Sequence, residues 1–409
     1  MHLAPSFTPS RSAGLARQAE FLPMAGQYGS QRNYVRPGHG HVARLSPWLQ
    51  KRLLLESEVV GAVLTKWPLS AVEKLIQEIY WRTYWKGWLE QRPAAWERWV
   101  EAVPRLRDAL HGERRNAWEA ACAGRTGIAG FDEWAQELVT TGYLHNHARM
   151  WFASIWIFTL RLPWELGAAF FYAHLLDGDV ASNTLSWRWV AGLQTPGKTY
   201  VARADNISQF TEGRCTPGVD QLATSAFALT EEPLPKVMSW TDPTSSANQQ
   251  PRAANADRIG LWLHAEDLSA ERGELAEESV VAVNAAWPTR LVQHAGWGVK
   301  VAVWTQAALE EGATRAAKHF GAAVTKGATD DLAKNLVEWS KAHNLRRIVA
   351  YRPFVGPWLD EALRAEAVLR LHNIPVTWRR RHWDAELFPY AIRGYFPFWE
   401  NVKLRIPTP

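Results

Sequence analysis

Residues 177–189 read DGDVASNTLSWRW, and the interpretation of the whole chain depends on them. They follow an apolar segment, 166–176, that is typical of a buried helix ending at an Asp-Gly turn. If the residues after that turn are helical, Asp179, Asn183 and Trp187 project from one side of the helix at four-residue steps. That side would present a carboxylate, a carboxamide and a redox-capable indole ring to one flat polar ligand.

A simpler interpretation of the same residues needs no ligand. Asp179 would cap the N-terminus of the helix, and the tryptophans would fill a core. The chain contains 24 tryptophans, and packing is the ordinary use of such large side chains. A surplus of this size also suits a protein that moves electrons through indoles or stacks nucleobases, so residues 177–189 alone leave both interpretations open.

The composition limits the class of protein. A chain of 409 residues is too long for one ordinary core, so we expect two domains. Lys and Arg number 46 against 41 Asp and Glu, a mild excess that is compatible with a polyanionic partner. Two cysteines, Cys122 and Cys215, argue against a disulfide framework and cannot supply a four-cysteine iron–sulfur site. No apolar run has transmembrane length, and we expect a cytoplasmic protein.

The pattern of apolar residues divides the chain into four parts. Residues 1–26 carry no acid before Glu20, and we expect a disordered arm rather than a transit-like peptide. Residues 27–227 show helical periodicity, and residues 228–257 are rich in Pro, Ser, Asn and Gln, as linkers are. Residues 258–409 alternate short apolar strands with helices, which predicts a parallel sheet wrapped by helices, of the Rossmann or flavodoxin type.

The predicted elements are helices and strands with definite bounds. Before the linker, helices are predicted at 49–64, 71–89, 94–109, 131–140, 146–160 and 163–176. After it, strands are predicted at 259–263, 280–284, 299–304, 347–351 and 375–378, and helices at 307–319, 330–342 and 359–371.

A first polar segment lies early in the helical part. Tyr28 precedes the run Arg44-Leu45-Ser46-Pro47. Ser46 before Pro47 predicts a helix N-cap, and at such a site backbone N–H groups also receive phosphate. Capping alone is the commoner explanation.

Two further segments have spacings that bring polar side chains to one side of a helix. Glu78, Trp81 and Arg82 share one face, although an exposed Glu–Arg pair would be the ordinary explanation. A large indole on a charged stripe is unusual for a solvated face. Asn146 and Met150 are four residues apart, so both can face one cavity.

Together these segments resemble the flavin-binding domain of the photolyase/cryptochrome family. The matching motifs are RLSPWL at 44–49, E-x-x-W-R at 78–82, N-x-x-R-M at 146–150 and DGDVASN with WRW at 177–189. The resemblance implies a bound FAD, and it leaves open a second, antenna chromophore of unknown identity. It implies DNA containing pyrimidine dimers as the partner, and we expect a monomer. With two cysteines, the family's iron–sulfur branch is excluded.

The resemblance also implies the residues that hold the flavin. At the phosphate end, Val42 and Ala43 stand where the family usually has hydroxyl residues, so fewer side-chain donors are expected there. Asn183 would lie opposite flavin N5. The implied flavin-binding residues are Tyr28, Arg44, Ser46, Arg82, Arg149, Asp177, Asp179 and Asn183.

The same resemblance implies the residues that act on the damaged pyrimidines. Trp81 and Trp189 would stack on the lesion, and Glu78 would hydrogen-bond to it. Trp187 would be the first electron donor to photoexcited flavin and Trp164 the second. The implied catalytic residues are Glu78, Trp81, Asn146, Met150, Trp164, Trp187 and Trp189.

Asn146 and Met150 distinguish the branches of the family. The branch that repairs (6-4) lesions carries two histidines at these positions, whereas the cyclobutane-dimer branch resembles this chain. We therefore predict a flavoprotein that splits cyclobutane pyrimidine dimers by electron transfer from excited reduced FAD. The alternatives are a cryptochrome-like blue-light receptor with photoreducible FAD and no repair activity, and a nucleic-acid-binding relic without flavin.

The α/β part carries a weaker resemblance. LWLHAEDL at 261–268 is similar to the family's first strand and the turn after it, and YFPFW at 395–399 is similar to the aromatic signature that closes that domain. In the family this domain precedes the flavin domain. Here it follows, so the chain resembles a circular permutant, which is permissible where domain cores are independent.

Two other patterns have ordinary explanations. Residues 192–199 satisfy the P-loop pattern G-x-x-x-x-G-K-T, but no buried strand is predicted before them and no helix after them. His39, His41, His145 and His147 could be drawn as a metal cluster, but no acid suited to a supporting role lies nearby, so we predict no metal site.

Overall fold

The computed structural model of the protein describes residues 7–245 and 258–406. It confirms the predicted fold class, an all-helical domain followed by a parallel sheet with helices. The helices before the linker are α1 (Arg11–Phe21), α2 (Tyr28–Gln31), α3 (Ser46–Gln50), α4 (Glu56–Lys66), α5 (Leu69–Glu90), α6 (Ala94–Asp108), α7 (Gly112–Cys122), α8 (Phe131–Thr141), α9 (Asn146–Ser154), α10 (Trp164–His174), α11 (Val180–Val190) and α12 (Ala204–Phe210).

After the linker the elements alternate. They are β1 (Ile259–Trp262), β2 (Val280–Pro288), α13 (Thr289–Ala295), α14 (Val299–Phe320), β3 (Ala323–Thr329), α15 (Leu332–Ala342), β4 (Arg347–Tyr351), α16 (Pro357–Leu371), β5 (Val376–Arg379), α17 (His382–Leu387) and α18 (Tyr395–Val402). The five strands are parallel in the order β3-β2-β1-β4-β5. β1, at the centre of the sheet, and its neighbour β4 are buried on both faces, as parallel strands covered by helices are.

The predicted strand at 299–304 is wrong. These residues open α14, because their buried side chains continue at helical spacing through Val301, Trp304 and Ala308. The strand lies instead at β3, an edge strand of small and polar residues that is partly to fully exposed and gives little apolar signal. Gly321, at φ +62°, ends α14 just before it.

The prediction of a disordered arm over residues 1–26 is wrong from residue 7 onward; residues 1–6 lie outside the described part. Ser10 caps α1 by accepting a hydrogen bond from the N–H of Ala13. Arg11 forms a two-pronged ion pair with Glu58 at 2.7 and 2.9 Å, and Phe21 is buried in the core. These contacts order a segment whose composition resembles that of a disordered tail.

The linker also packs more closely than its composition predicts. Its described part carries no helix or strand from 228 to 244. Leu229 nevertheless hydrogen-bonds to the carbonyl of Ala191, and Asp242 pairs with the buried Arg380 at 3.1 Å. Residues 246–257 lie outside the described part.

The chain end returns to the helical domain. The aromatic run Tyr395–Trp399, expected to close the α/β domain, packs on α5 instead. Trp383 donates to Thr83 at 2.9 Å, and the backbone carbonyl of Arg393 accepts from Tyr84 at 2.8 Å. The last residues thus belong to the wall of the helical domain.

A buried ion network joins the two domains. Arg52, in the loop between α3 and α4, pairs with Asp384 at 2.7 Å and with Asp267 at 3.3 Å. Arg381 holds the other side of Asp267 at 2.6 and 2.7 Å. Removing one member would leave a buried charge without its partner, so this network fixes the domain interface. Within the described residues, no helix is long and apolar enough to cross a membrane.

Candidate functional site

A cavity of about 890 Å³ opens in the helical domain. Its volume lies in the range of cofactor sites, roughly 300–1,000 Å³. Of the fifteen predicted site residues, Trp164 and Asp179 do not line it. The structure brings the other thirteen to its surface: Tyr28, Arg44, Ser46, Glu78, Trp81, Arg82, Asn146, Arg149, Met150, Asp177, Asn183, Trp187 and Trp189.

An ion pair stands at one wall of the cavity. Arg149 on α9 contacts both carboxylate oxygens of Asp177, at 3.0 and 3.2 Å, and its Nε donates to the carbonyl of Leu144. Burial alone would raise the pKa of Asp177, but Arg149, Arg82 and a hydrogen bond from Ser46 bring it below its usual range. Asp177 is therefore an anion held in a fixed position.

Ser46 does not cap a helix, which corrects the sequence prediction. It is the first residue of α3, and the N-cap position belongs to Leu45, without a side-chain capping bond. The Ser46 hydroxyl donates to Asp177 instead. The preceding Arg44 has a left-handed backbone, at φ +54°, and its side chain donates to the carbonyl of Gly38 at 2.9 Å.

Asp179 caps α11, so the simpler interpretation of this residue is correct. Its Oδ1 accepts from the backbone N–H groups of Ala181 and Ser182 at 2.8 and 3.1 Å. Its Oδ2 lies 3.6 Å from Arg82 and 3.8 Å from the buried Lys86. Asp179 therefore lies behind the cavity wall and fixes the position of Arg82, which lines the cavity.

Asn183 has a defined orientation. Its Nδ2 donates to the carbonyl of Ala168 on α10 at 2.9 Å. The bond uses one of the amide's donors and leaves Oδ1 as the acceptor available to the cavity. The side chain is 8% exposed, so it addresses the cavity rather than bulk solvent.

Trp187 sits in an aromatic cluster below the cavity. Its ring lies 5.1 Å from Phe171 and 6.1 Å from Trp156, both nearly perpendicular. Trp164 is buried next to Arg188, whose guanidinium carbon lies 5.9 Å from its ring. Arg188 is itself buried and pairs with Glu231 of the linker.

The mouth of the cavity carries aromatic and charged groups. Glu78 forms an ion pair with Arg32, and burial raises the pKa of Glu78 against the opposing effect of that arginine. Trp189 lies 5.8 Å from the ring of Tyr200. Trp81 is stacked on Tyr395 at a centroid distance of 3.5 Å and an angle of 8°.

Sequence reasoning missed several lining residues. Tyr395 and Phe396 come from α18, and no local pattern indicates that residues so far along the chain return to α5. Tyr200 follows the P-loop-like segment, which forms turns directly after α11, a helix rather than a strand. His145 could have been found, because it immediately precedes Asn146 in the quoted motif.

The histidines beside the cavity have other partners. His39 contacts Glu137 at 2.5 Å, and His41 contacts the carbonyl of Tyr34. Burial, the neighbouring histidines and Arg149 lower the pKa of His145 well below its usual value. In the part of the chain that the structure describes, no three His, Cys, Asp or Glu side chains are arranged to hold a metal ion.

The residues of the cavity fit an FAD. The Nε atoms of Arg44 and Arg82 and the indole nitrogen of Trp187 are buried without a hydrogen-bond partner among the described residues. Buried donors of this kind are usually satisfied, and two are guanidinium groups suited to phosphate. Arg44, Arg82 and Ser46 would hold phosphates, and Asp177 and Asn183 offer acceptors to hydroxyl or ring N–H groups.

Comparison with known proteins points the same way. Residues 75–214 match the FAD binding domain of DNA photolyase. The chain is 33% identical over 218 residues to a deoxyribodipyrimidine photo-lyase of Streptomyces griseus, covering 48% of this chain and 46% of that protein. It is 27% identical over 220 residues to a cryptochrome DASH of Idiomarina loihiensis, covering 52% and 47%.

Among solved structures, the chain is similar to a Synechocystis sp. PCC6803 cryptochrome with a TM-score of 0.46 and 23% identity, covering 51% of this chain and 44% of that one. The chain thus spans somewhat less than half the length of the relatives it matches.

Proposed function

We propose that the chain, whose residues 75–214 match the FAD binding domain of DNA photolyase, is a light-driven flavoprotein of the photolyase/cryptochrome family that splits cyclobutane pyrimidine dimers in DNA. One observation carries the proposal. Glu78, Trp81 and Trp189 line the same cavity as Asn183 and Asp177. A pyrimidine dimer held at the mouth and a flavin held farther in would therefore share one space.

The flavin would be held by residues already fixed in position. Arg44, Arg82 and Ser46 would bind its phosphates, and Tyr28 would approach the same end. Asn183 would accept a hydrogen bond at Oδ1, because its amide nitrogen is bonded to Ala168. When bound, reduced and excited by light, FAD would supply the electron that opens the cyclobutane ring, and the electron would return to the flavin once the two pyrimidines are restored.

The damaged bases would leave the duplex and enter the mouth of the cavity. Trp81 and Trp189 offer aromatic surfaces for stacking, and Met150 offers an apolar one. Glu78 and Asn146 would hydrogen-bond to the polar edges of the bases. Because burial raises the pKa of Glu78, its carboxyl keeps a proton to a higher pH than usual and can donate to a base carbonyl.

Trp187 would pass electrons to oxidised flavin under light, with Trp164 behind it. Trp187 lines the cavity, whereas Trp164 is buried beyond it. This role is separate from repair and concerns how the protein reaches its active redox state.

The deciding experiment is a repair assay. Purified protein is mixed with a dimer-containing oligonucleotide, illuminated with near-ultraviolet or blue light, and the remaining dimers are counted by chromatography. We expect dimers to disappear in light and persist in darkness. Glu78→Ala should slow their loss by about 10-fold or more, because it removes the carboxyl that would hydrogen-bond to the lesion and leaves the base without that partner.

Glu101→Ala is the matched control for that variant. Glu101 is an exposed residue of α6 outside the cavity, so its replacement should leave the rate unchanged. Dimers that persist under light, in protein with bound FAD, would refute repair.

A cryptochrome-like light receptor is the second candidate. The likeness to a cryptochrome DASH favours it, and so do Val42 and Ala43, apolar residues of the cavity where the family usually has hydroxyls. Bound FAD that is reduced by light while dimers remain would favour this function.

We further propose that the chain is a monomeric circular permutant of the family. The matched flavin domain precedes the parallel sheet in this chain. Light scattering on purified protein would test whether it is a monomer, since a mass near 46.3 kDa is expected for one chain.

A further inference from the structure

The stack between Tyr395 and Trp81 is the closest ring contact at the cavity. The two ring centroids are 3.5 Å apart and the planes differ by 8°. Tyr395 is 4% exposed, and its hydroxyl donates to the carbonyl of Gln77 at 2.7 Å, one turn before Trp81 on α5. The tyrosine is thus fixed at both its ring and its hydroxyl, and Trp81 is held against it.

This stack determines how a ligand can approach Trp81. Since one face of the indole is covered by Tyr395, a flat ligand must stack on the opposite face. The two rings come from opposite ends of the chain, Trp81 from α5 and Tyr395 from α18. α18 therefore sets the orientation of a residue in the proposed base-binding pocket.

The next residue, Phe396, contrasts with Tyr395. Its side chain lines the cavity and is 71% exposed. Basic side chains of Arg32, Lys74 and Arg203 line the same cavity. Arg32 and Arg203 are paired with Glu78 and Asp205. An exposed aromatic ring and basic side chains along one cavity are nevertheless the groups that single-stranded nucleic acid binds, with bases on the ring and phosphates on the cations.

We propose that the first turn of α18 is a wall of the substrate pocket, in which Tyr395 is a positioning residue for Trp81 and Phe396 stacks on a nucleobase of the bound strand. The proposal rests on the proposed function and adds to it a segment that follows the α/β domain. Domain order would then matter for binding, because the pocket is complete only when the chain end docks on α5.

Equilibrium binding in darkness tests the role of Phe396. A fluorescent single-stranded oligonucleotide carrying one thymine dimer is titrated with FAD-loaded protein and followed by anisotropy, alongside the same oligonucleotide without the dimer. Phe396→Ala should weaken binding on the order of 10-fold, the effect of removing one stacking surface. Leu404→Ala is the control, since Leu404 is 80% exposed on the same chain end and lies outside the cavity lining.

Tyr395 is tested by two variants. Tyr395→Phe keeps the ring and should bind nearly as the wild type does, whereas Tyr395→Leu removes the stack. We expect Tyr395→Leu to weaken dimer binding and raise the KM for repair several-fold, with less effect on kcat and with FAD content unchanged. Thermal unfolding of each variant shows whether the fold is kept.

The outcomes separate the two proposals. If wild-type protein does not prefer the dimer-containing oligonucleotide, dimer recognition fails and this inference fails with it. If the wild type shows the preference and both Phe396→Ala and Tyr395→Leu bind as tightly as it does, only the role of α18 is overturned.

Discussion

The indoles of Trp156 and Trp187 meet edge to face, with ring centroids 6.1 Å apart and planes at 84°. They do so beside Gly167 of α10, where an added Cβ would lie 2.3 Å from the Trp187 ring and 3.0 Å from that of Trp156. A glycine in the middle of a helix ordinarily destabilises it. Here it provides the space in which the helix backbone approaches the indole that lines the cavity.

Gly167→Ala should therefore destabilise the protein, although the same change usually favours a helix. We expect the free energy of unfolding to fall by about 1–3 kcal/mol, the range for an overpacked core. Chemical denaturation measures it. Gly61→Ala in α4 is the control, because nothing lies within 4 Å of its added Cβ, and it should raise stability by about 0.5–1 kcal/mol. Equal effects of the two changes would contradict the close approach of Trp187.

Light-driven reduction of the bound flavin should depend on Trp187. Trp187→Phe is expected to slow it at least about 10-fold, because phenylalanine is much harder to oxidise than indole and the ring lines the cavity. Trp164→Phe should slow it as well. Absorbance under continuous light measures the rate, with Trp339→Phe, in the separate core of the α/β domain, as the unaffected control. A Trp187→Phe protein that is reduced at the wild-type rate would show that electrons enter elsewhere.

The interface between the domains should make stability depend on pH. Glu266, in the turn after β1, accepts from the N–H of Phe354 at 2.8 Å, and burial raises its pKa to about 7 from 4.5. The folded protein therefore binds more protons than the unfolded chain between these values, so the free energy of unfolding falls as the pH rises through them. Burial lowers the pKa of Lys51 to about 8 from 10.5. Between these values the unfolded chain binds more protons than the folded protein, so Lys51 makes the free energy of unfolding rise with pH.

Glu266→Gln removes this titration and should flatten the decline between pH 4.5 and about 7. Urea unfolding at several pH values in that window, for wild type and variant, measures the slope, which for one group is at most about 1.4 kcal/mol per pH unit. Glu338→Gln, an exposed change on α15, should leave the slope as it is. Parallel curves for Glu266→Gln and wild type would mean that Glu266 does not hold the extra proton.

Local patterns predicted much of this fold because they depend on neighbours in the chain. α5 and β4 follow directly from helical spacing and a short apolar run, and the predicted bounds differ from the observed ones by two residues at most. The strand β3 was not predicted, because an exposed edge strand needs few apolar residues and so carries little apolar pattern. The folded structure of residues 7–26 was not predicted, because it depends on contacts with residues such as Glu58 and Trp304 that lie far away in the sequence.

The residues of the candidate site were likewise predicted where they share a short motif and missed where they depend on distant contacts. Asp177, Asn183 and Trp187 lie in one short motif, and the structure brings them to one cavity with Glu78 and Asn146. Asp179 was assigned to the cofactor, but its geometry satisfies the helix terminus first. Tyr395 could not be predicted, because the contact depends on the docking of α18 on α5.

Every role given to these residues requires FAD to lie in this cavity, and a binding titration tests that most directly. FAD is added to flavin-free protein, and quenching of flavin fluorescence is followed to saturation for wild type, for Asp177→Asn, and for Asp108→Asn, an exposed control. We predict one FAD per chain for wild type and control, and affinity weakened about 10-fold or more in Asp177→Asn, because Arg149 loses its charged partner. Binding that does not saturate at one FAD, or equal affinity in all three proteins, would contradict a flavin site at Asp177.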